Sequence, residues 1–294
     1  ALQAEGMNVA CLFAEDPAVL REWLLALAPD VVVEDRHGAM PENEGGEPLA
    51  EALDAPRLRP ISMLAYTQAQ WEADPQGLHP RDRGLFLTLQ ERHGTIEPLV
   101  VGALKVNTSG FKLHAPVAGR PARFAARAAA WARLRRTPNG EKRVALIYYN
   151  KGLGKDDLMR GSPTGAFLDA PASAVRLLGA MRAQGYALDA VPQDVAALLA
   201  RVKASGLNLG PWAQGELDRM ADHPDVILVP AATYARWFET RLDPGQRAAV
   251  VAAHGAPPGR LMVVQRNGQP HLVLPGVRLG PGVLLAPQPA RGEK

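Results

Sequence analysis

Cysteine is nearly absent: the 294 residues contain one, Cys11. That excludes an intrachain disulfide framework. Its place between Ala10 and Leu12 in an apolar run reads as a buried thiol rather than a nucleophile. Aromatic residues make up only 5% of the chain, so the apolar mass is Ala, Leu and Val. No apolar stretch approaches the roughly 20 residues of a membrane span. Nor does a basic-then-apolar leader open the chain, so no membrane partner is expected and the cytoplasm is the expected compartment. The seven histidines, at 37, 79, 93, 114, 223, 254 and 271, are scattered. None pairs with cysteine and none lies three or four residues from another, so no zinc site forms on one helix face. No serine sits in G-x-S-x-G, which removes the nucleophile elbow. No catalytic or metal-ligating residue is assigned.

A phosphate cradle is also lacking, although residues 142–178, KRVALIYYNKGLGKDDLMRGSPTGAFLDAPASAVRLL, have its outline of strand, Gly-Lys loop and helix. A Walker loop needs G-x-x-x-x-G-K-[ST] to wrap phosphates in backbone N–H groups. Here Gly152 and Gly154 are too close together, and Asp156 after Lys155 repels phosphate. The dinucleotide fingerprint G-x-G-x-x-G fails at residue 157, an aspartate. The mixed charge suits a polar organic ligand better than a triphosphate.

What is present is an ordinary globular composition, 47% hydrophobic and 21% charged, in a chain long enough for two domains. Net charge is a mild +3 but uneven. Arg120, Arg123, Arg127, Arg133, Arg135, Arg136, Lys142 and Arg143 fall close together, with only Glu141 opposing them. FAARAAAWARLRR reads as a helix with a solvated face, or one docked on an acidic neighbouring surface. It lacks the aromatic interleaving, helix-turn-helix or zinc-finger spacing of a nucleic-acid binder, so no nucleic-acid partner is expected.

Periodicity predicts an α/β chain: parallel, doubly wound sheet units with flanking helices, plus a C-terminal β-hairpin region. NVACLFAED, DVVVED, RPISMLAYT and TIEPLVVGALKV are predicted strands. PAVLREWLLALAP is a helix with Leu20, Trp23, Leu24 and Leu27 on one face. HGAMPENEGGEPL is a surface loop. The division expected is an α/β domain over 1–120, a basic linker helix over 121–142 and a second α/β domain over 143–294. In the second, RVALIYYN is a strand, Asp169 caps a helix with Pro171 in its first turn, and Asn267-Gly268 marks a hairpin turn. With Ala1 first and PQPARGEK directly after a strand-like run, the sequence reads as an excerpt from a longer chain. Open parallel sheets bind ligands beyond the carboxyl ends of their strands. The candidate substrate-binding groups are therefore Asn150, Lys151, Lys155 and Arg160 after the strand ending at Tyr149, and Arg291 after the last strand.

KRVALIYYNKGLGK followed by AFLDAPASAVRLLGAMRAQGY resembles the CobN and magnesium-chelatase H family, the large subunits of ATP-dependent tetrapyrrole metal chelatases. WEADPQGLHPRD, GTIEPLVVGA, WARLRRTPNGEKRVA, TYARWFETRL and VVAAHGAPPG extend the resemblance in order. So does the Pro-Gln-Pro-x-Arg-Gly motif at Pro287, Gln288, Pro289, Arg291 and Gly292. DLMRGSPTG departs from the family's usual loop. The resemblance implies a tetrapyrrole or corrin substrate, with the candidate Lys and Arg groups holding its carboxylate or amide side groups. It implies cobalt as the inserted metal, with magnesium as the alternative, and ATP on partner AAA+ subunits. It implies no cofactor on this stretch, because the family's His-x-Gly-x-His-Gly motif lies downstream of Pro-Gln-Pro-x-Arg-Gly. The alternatives are a two-lobed binding module for a small anionic ligand, and an interaction scaffold docking through the Arg-rich helix.

Overall fold

A computed structural model describes residues 1–35, 49–149, 169–210 and 213–289. The chain divides into two compact units, 1–137 and 138–294. Among the described residues, no helix is long and apolar enough to cross a membrane.

In the first unit the elements run α1 (Pro17–Leu27), β1 (Val32–Val33), α2 (Leu49–Leu53), β2 (Arg57–Thr67), α3 (Gln68–Ala73), α4 (Pro80–Arg83), α5 (Leu89–Arg92), β3 (Thr95–Val106), β4 (Lys112–Pro116) and α6 (Arg120–Arg136). A wide π-type turn, Gly84–Thr88, joins α4 to α5. The sheet order is β1-β2-β3-β4, with the first three parallel and β4 antiparallel at the edge. The period-2 alternation of β2 sorts its side chains. Leu58 packs with Phe124 and Ala128 of α6 on one face, while Ile61 and Met63 pack with Phe86 on the other.

The basic helix expected as a linker over 121–142 is α6, packed within this first unit. Its arginines dock on acids. Glu97 sits at a bulge in β3 with φ 57°, and this turns its carboxylate toward α6. There it accepts from Arg127 and from Trp131 Nε1 at 3.1 Å. Arg136 pairs with Asp30 and Arg135 with Asp54. Deeper in the sheet, Arg57 and Glu34 form an ion pair with both side chains 2% exposed, and Arg59 donates to the Glu34 carbonyl at 2.9 Å.

Three readings of this unit need correction. Residues 7–14 form no strand and are mostly exposed, because among the described residues the sheet ends at β1 and offers them no partner ladder. Cys11 is consequently exposed rather than buried. Among the described side chains of α1 only Leu24 is buried, at 6%, while Trp23 and Leu27 are 42% and 50% exposed, since among the described residues α1 packs mainly against α2. The acidic stretch 37–48 lies outside the described residues.

The second unit runs β5 (Val144–Tyr148), α7 (Ala170–Ala183), α8 (Val195–Ser205), α9 (Gln214–Ala221), β6 (Ile227–Pro230), α10 (Ala231–Arg241), α11 (Pro244–His254), β7 (Val263–Arg266), β8 (Gln269–Leu274), β9 (Val277–Arg278) and β10 (Val283–Pro287). Asp169 caps α7 by accepting from Ala172 N at 3.0 Å, with proline in the first turn. Asn267 and Gly268 turn the β7–β8 hairpin with both φ positive, as a type I′ turn requires. Among the described residues two sheets result: β5-β10-β9, and the antiparallel β6-β8-β7. One core joins them, with Leu178, Leu198 and Val202 of the helices against Val264, Val273, Val283 and Leu285 of the strands.

Two predictions separate buried from surface charge in the first unit. Glu34→Ala strands Arg57 in the core and is expected to cost about 3–5 kcal/mol, against about 0–1 for Arg136→Ala on the surface. Urea unfolding of the two variants measures the difference. The Arg127 hydrogen bond holds the Glu97 carboxyl below its ordinary value of 4.5. Its contribution is therefore complete above that pH and lost as pH falls further. Glu97→Gln should flatten the acid limb of the stability curve.

Candidate functional site

The second unit is built around the first and last of its strands. β5 is an apolar run, VALIY, and β10 is another, VLLAP. They pair in parallel, from Val144 opposite Val283 to Tyr148 opposite Pro287. The ladder continues one step further, with Gln288 N donating to the Tyr148 carbonyl at 2.8 Å. Both strands therefore reach the same carboxyl edge, the place where open α/β sheets take ligands.

Residues 205–210, Ser-Gly-Leu-Asn-Leu-Gly, support this edge. All six are buried, yet none after Ser205 belongs to a helix or strand. Irregular backbone in a core must find partners for its polar groups. The Tyr148 hydroxyl donates to the Gly206 carbonyl. Gly276 N donates to the Ser205 carbonyl at 2.8 Å, and Asn208 Nδ2 donates to the Gln288 carbonyl at 2.7 Å. One loop thus grips the ends of both strands. Burial pushes the Tyr148 hydroxyl well above the usual tyrosine range, so it remains a neutral donor. Position 206 must be glycine-sized, because a Cβ there would lie 2.5 Å from the Tyr148 hydroxyl and 3.2 Å from the Val202 carbonyl.

The five candidate residues from the sequence, Asn150, Lys151, Lys155, Arg160 and Arg291, lie outside the described residues. The chain leaves the described residues at Tyr149 and at Pro289, one step beyond the paired ladder in each strand. The sequence reading missed the loop at 205–210. A lone glycine such as Gly206 is, by sequence, no more than a helix terminator, and Asn208 carries no motif. A cavity of about 160 Å³ shares Leu207 and Leu209 with this loop and is also lined by Lys203, Glu216 and Arg219. That volume holds a few waters rather than a macrocycle. Among the described residues, no group of three or more His, Cys, Asp or Glu is placed to hold a metal ion.

Comparison with known proteins matches residues 1–294 to the family model described as CobN/Magnesium Chelatase. The aerobic cobaltochelatase subunit CobN of Pseudomonas aeruginosa is 30% identical over 303 residues, covering 99% of this chain and 23% of that protein. The H-type magnesium-chelatase subunit of Chlorobaculum parvum is 25% identical over 310 residues, covering 99% and 22%. Among solved structures, the catalytic subunit of cobaltochelatase from Mycobacterium tuberculosis matches with TM-score 0.69 at 27% identity, over 92% of this chain and 22% of that one. The chain spans about a fifth of the length of these relatives.

The clasp at Gly206 makes a coupled prediction. Tyr148→Phe removes one hydrogen bond and should cost about 1 kcal/mol, while Gly206→Ala overpacks the site and should cost about 1–3. The double variant should be more stable than the sum of the two predicts, because removing the hydroxyl opens the space the new methyl needs. Urea unfolding of the three variants reads the coupling. Stability of the parent should also decline as pH rises above tyrosine's ordinary value of 10.0, and that decline should be smaller in Tyr148→Phe.

Proposed function

The chain belongs to the CobN/magnesium chelatase family, and from that premise we propose that it is part of the large, tetrapyrrole-binding subunit of a cobaltochelatase, inserting cobalt into a corrin-ring precursor. The observation that carries the reading is the parallel pairing of β5 with β10. It brings the departure points of the Gly-Lys segment and of the Pro-Gln-Pro-x-Arg-Gly segment to one sheet edge. Lys151, Lys155, Arg160 and Arg291 are then the proposed holders of the macrocycle's acidic side groups through charge-assisted hydrogen bonds, with Asn150 serving amide groups.

Cobalt is preferred to magnesium because, over nearly the whole chain, identity is 30% to the CobN relative and 25% to the magnesium-chelatase relative. Inserting a divalent metal into a free-base macrocycle releases two pyrrole protons. In this reading the described residues position the ring rather than accept those protons. ATP is hydrolysed on AAA+ partner subunits, and cobalt enters as a substrate.

Metal insertion by the assembled enzyme tests the reading. A large subunit of the relatives' length containing this sequence, supplied with its ATPase partners, should change the macrocycle's absorbance with Co²⁺ and far more slowly with Mg²⁺. The reverse preference assigns the magnesium-chelatase branch, and insertion of neither metal removes the chelatase reading. Lys155→Ala combined with Arg160→Ala should raise the macrocycle KM roughly tenfold or more, for loss of two charge-assisted contacts, and leave kcat much less affected.

A further inference from the structure

Parallel strands are ordinarily covered on both faces, and among the described residues the β5–β10 pair is covered on one. Val144, Leu146 and Tyr148 of β5 and Val283 and Leu285 of β10 point into the core with α7, α8 and α9. The alternating residues point the other way. Leu284 lies opposite Ala145 and Ala286 opposite Ile147, and Arg278 of β9 lies opposite Leu284. The outer face is therefore Arg143, Ala145, Ile147 and Tyr149 beside Leu284, Ala286 and Gln288, with Arg278 flanking. Ile147 is 59% exposed and Tyr149 43%. Among the described residues, none of these side chains belongs to a packed core cluster of the unit.

The charge on this face has one sign. β5, β9 and β10 contain no Asp or Glu. Arg143 and Arg278 are exposed, and among the described residues neither guanidinium has a partner. Small side chains at 145 and 286 keep the surface between Ile147 and Leu284 flat. Tyr149 and Gln288 carry it up to the carboxyl edge already described.

We propose that this outer face is the bed for the flat body of a carboxylate-bearing macrocycle. Ile147, Leu284 and Ala286 lie beneath the ring, and Arg143 and Arg278 hold acid groups at its rim. The inference rests on the tetrapyrrole reading above and gives that reading a location. Charge complementarity selects this occupant. An apolar helix laid over the face would bury two guanidinium groups without a carboxylate, at a cost that apolar contact does not offset. A ligand that is apolar in its middle and anionic at its edge matches both parts of the surface.

The test titrates the 294-residue chain with a free-base porphyrin tetracarboxylate, and with the corresponding tetra-amide, following the porphyrin's own absorbance and fluorescence. Saturable binding of the tetracarboxylate is expected. Ile147→Glu should weaken it at least tenfold, since a carboxylate is placed under the ring. Arg143→Ala with Arg278→Ala should weaken the tetracarboxylate about tenfold and leave the tetra-amide unchanged, which mere loss of fold could not do. All three positions are exposed, so circular dichroism should show the fold retained. Binding by the parent that no variant alters would overturn this placement while leaving the chelatase reading intact. No binding by the folded parent overturns it as well, and the insertion assay then decides the chelatase reading separately. A concentration-dependent dimer abolished by Ile147→Glu would show that a second copy covers the face, and would equally overturn the proposal.

Discussion

The pairing of β5 with β10 is the constraint on which the second unit depends. It joins the first strand of the unit to the last, so everything between them must fold back onto the closed pair. Close backbone approach permits the closure. Val144 N donates to the Gly282 carbonyl at 2.7 Å, and a Cβ at Gly282 would come within 2.7 Å of the Lys142 carbonyl. At Gly280, φ is 144° and a Cβ would lie 2.6 Å from the Ala187 carbonyl. A side chain at Gly282 would push the last strand away from the first, and one at Gly280 would push the approach to it away from the segment at 187–189. The buried loop at 205–210 then has the ends of both strands to bind, through Gly206 and Asn208. The order of dependence runs from two glycines, to a parallel ladder, to a loop, to an edge.

The first unit solves a different problem, the disposal of positive charge. From Pro98 to Gly140 the sequence has no Asp or Glu, and α6 concentrates arginine. Glu97, Asp54 and Asp30 come from separate parts of the unit to meet Arg127, Arg135 and Arg136. Arg120 turns inward instead, donating to the Val100 carbonyl and lying 4.9 Å from the Trp71 ring centre. What reads in one dimension as a basic patch is, in the fold, a set of tethers holding a helix on a sheet. This removes most of the case for α6 as a free docking face or a nucleic-acid surface.

Local signals survived translation into structure because their physics is local. The Asp169 cap with its first-turn proline, the Asn267-Gly268 turn, and the apolar runs of β2, β3 and β5 each needed only neighbours in sequence. What failed depended on partners far along the chain. NVACLF has the composition of a strand but no ladder to join, so Cys11 is exposed with it. β4, KLHAP, mixes a lysine, a histidine and a proline and is a strand only because β3 lies beside it. Arg57 and Arg59 look like surface residues at the start of an apolar run. Burial of both could be expected only by knowing that Glu34 and Phe86 would meet them. The site was legible as an edge, from the strand ending at Tyr149, but its supporting loop was not. Asn208 acts through a carbonyl eighty positions away, and no spacing rule reaches that far.

The outer face of β5 and β10 links stability to binding. A parallel pair with one bare apolar face is incompletely stabilised, and whatever covers that face in the native state adds to the stability of the whole unit. If the cover is a ligand that binds only the folded chain, the gain grows with its concentration, to about 2.7 kcal/mol at a hundred times its dissociation constant. The strands that position the ligand are then themselves held by it. A permanent apolar polypeptide cover would give the same gain at all times, but it would have no use for the arginines at the rim, Arg143 and Arg278, which have no partner among the described residues. The uncovered face, the absence of acid on its strands and the shared carboxyl edge are thus three consequences of one arrangement.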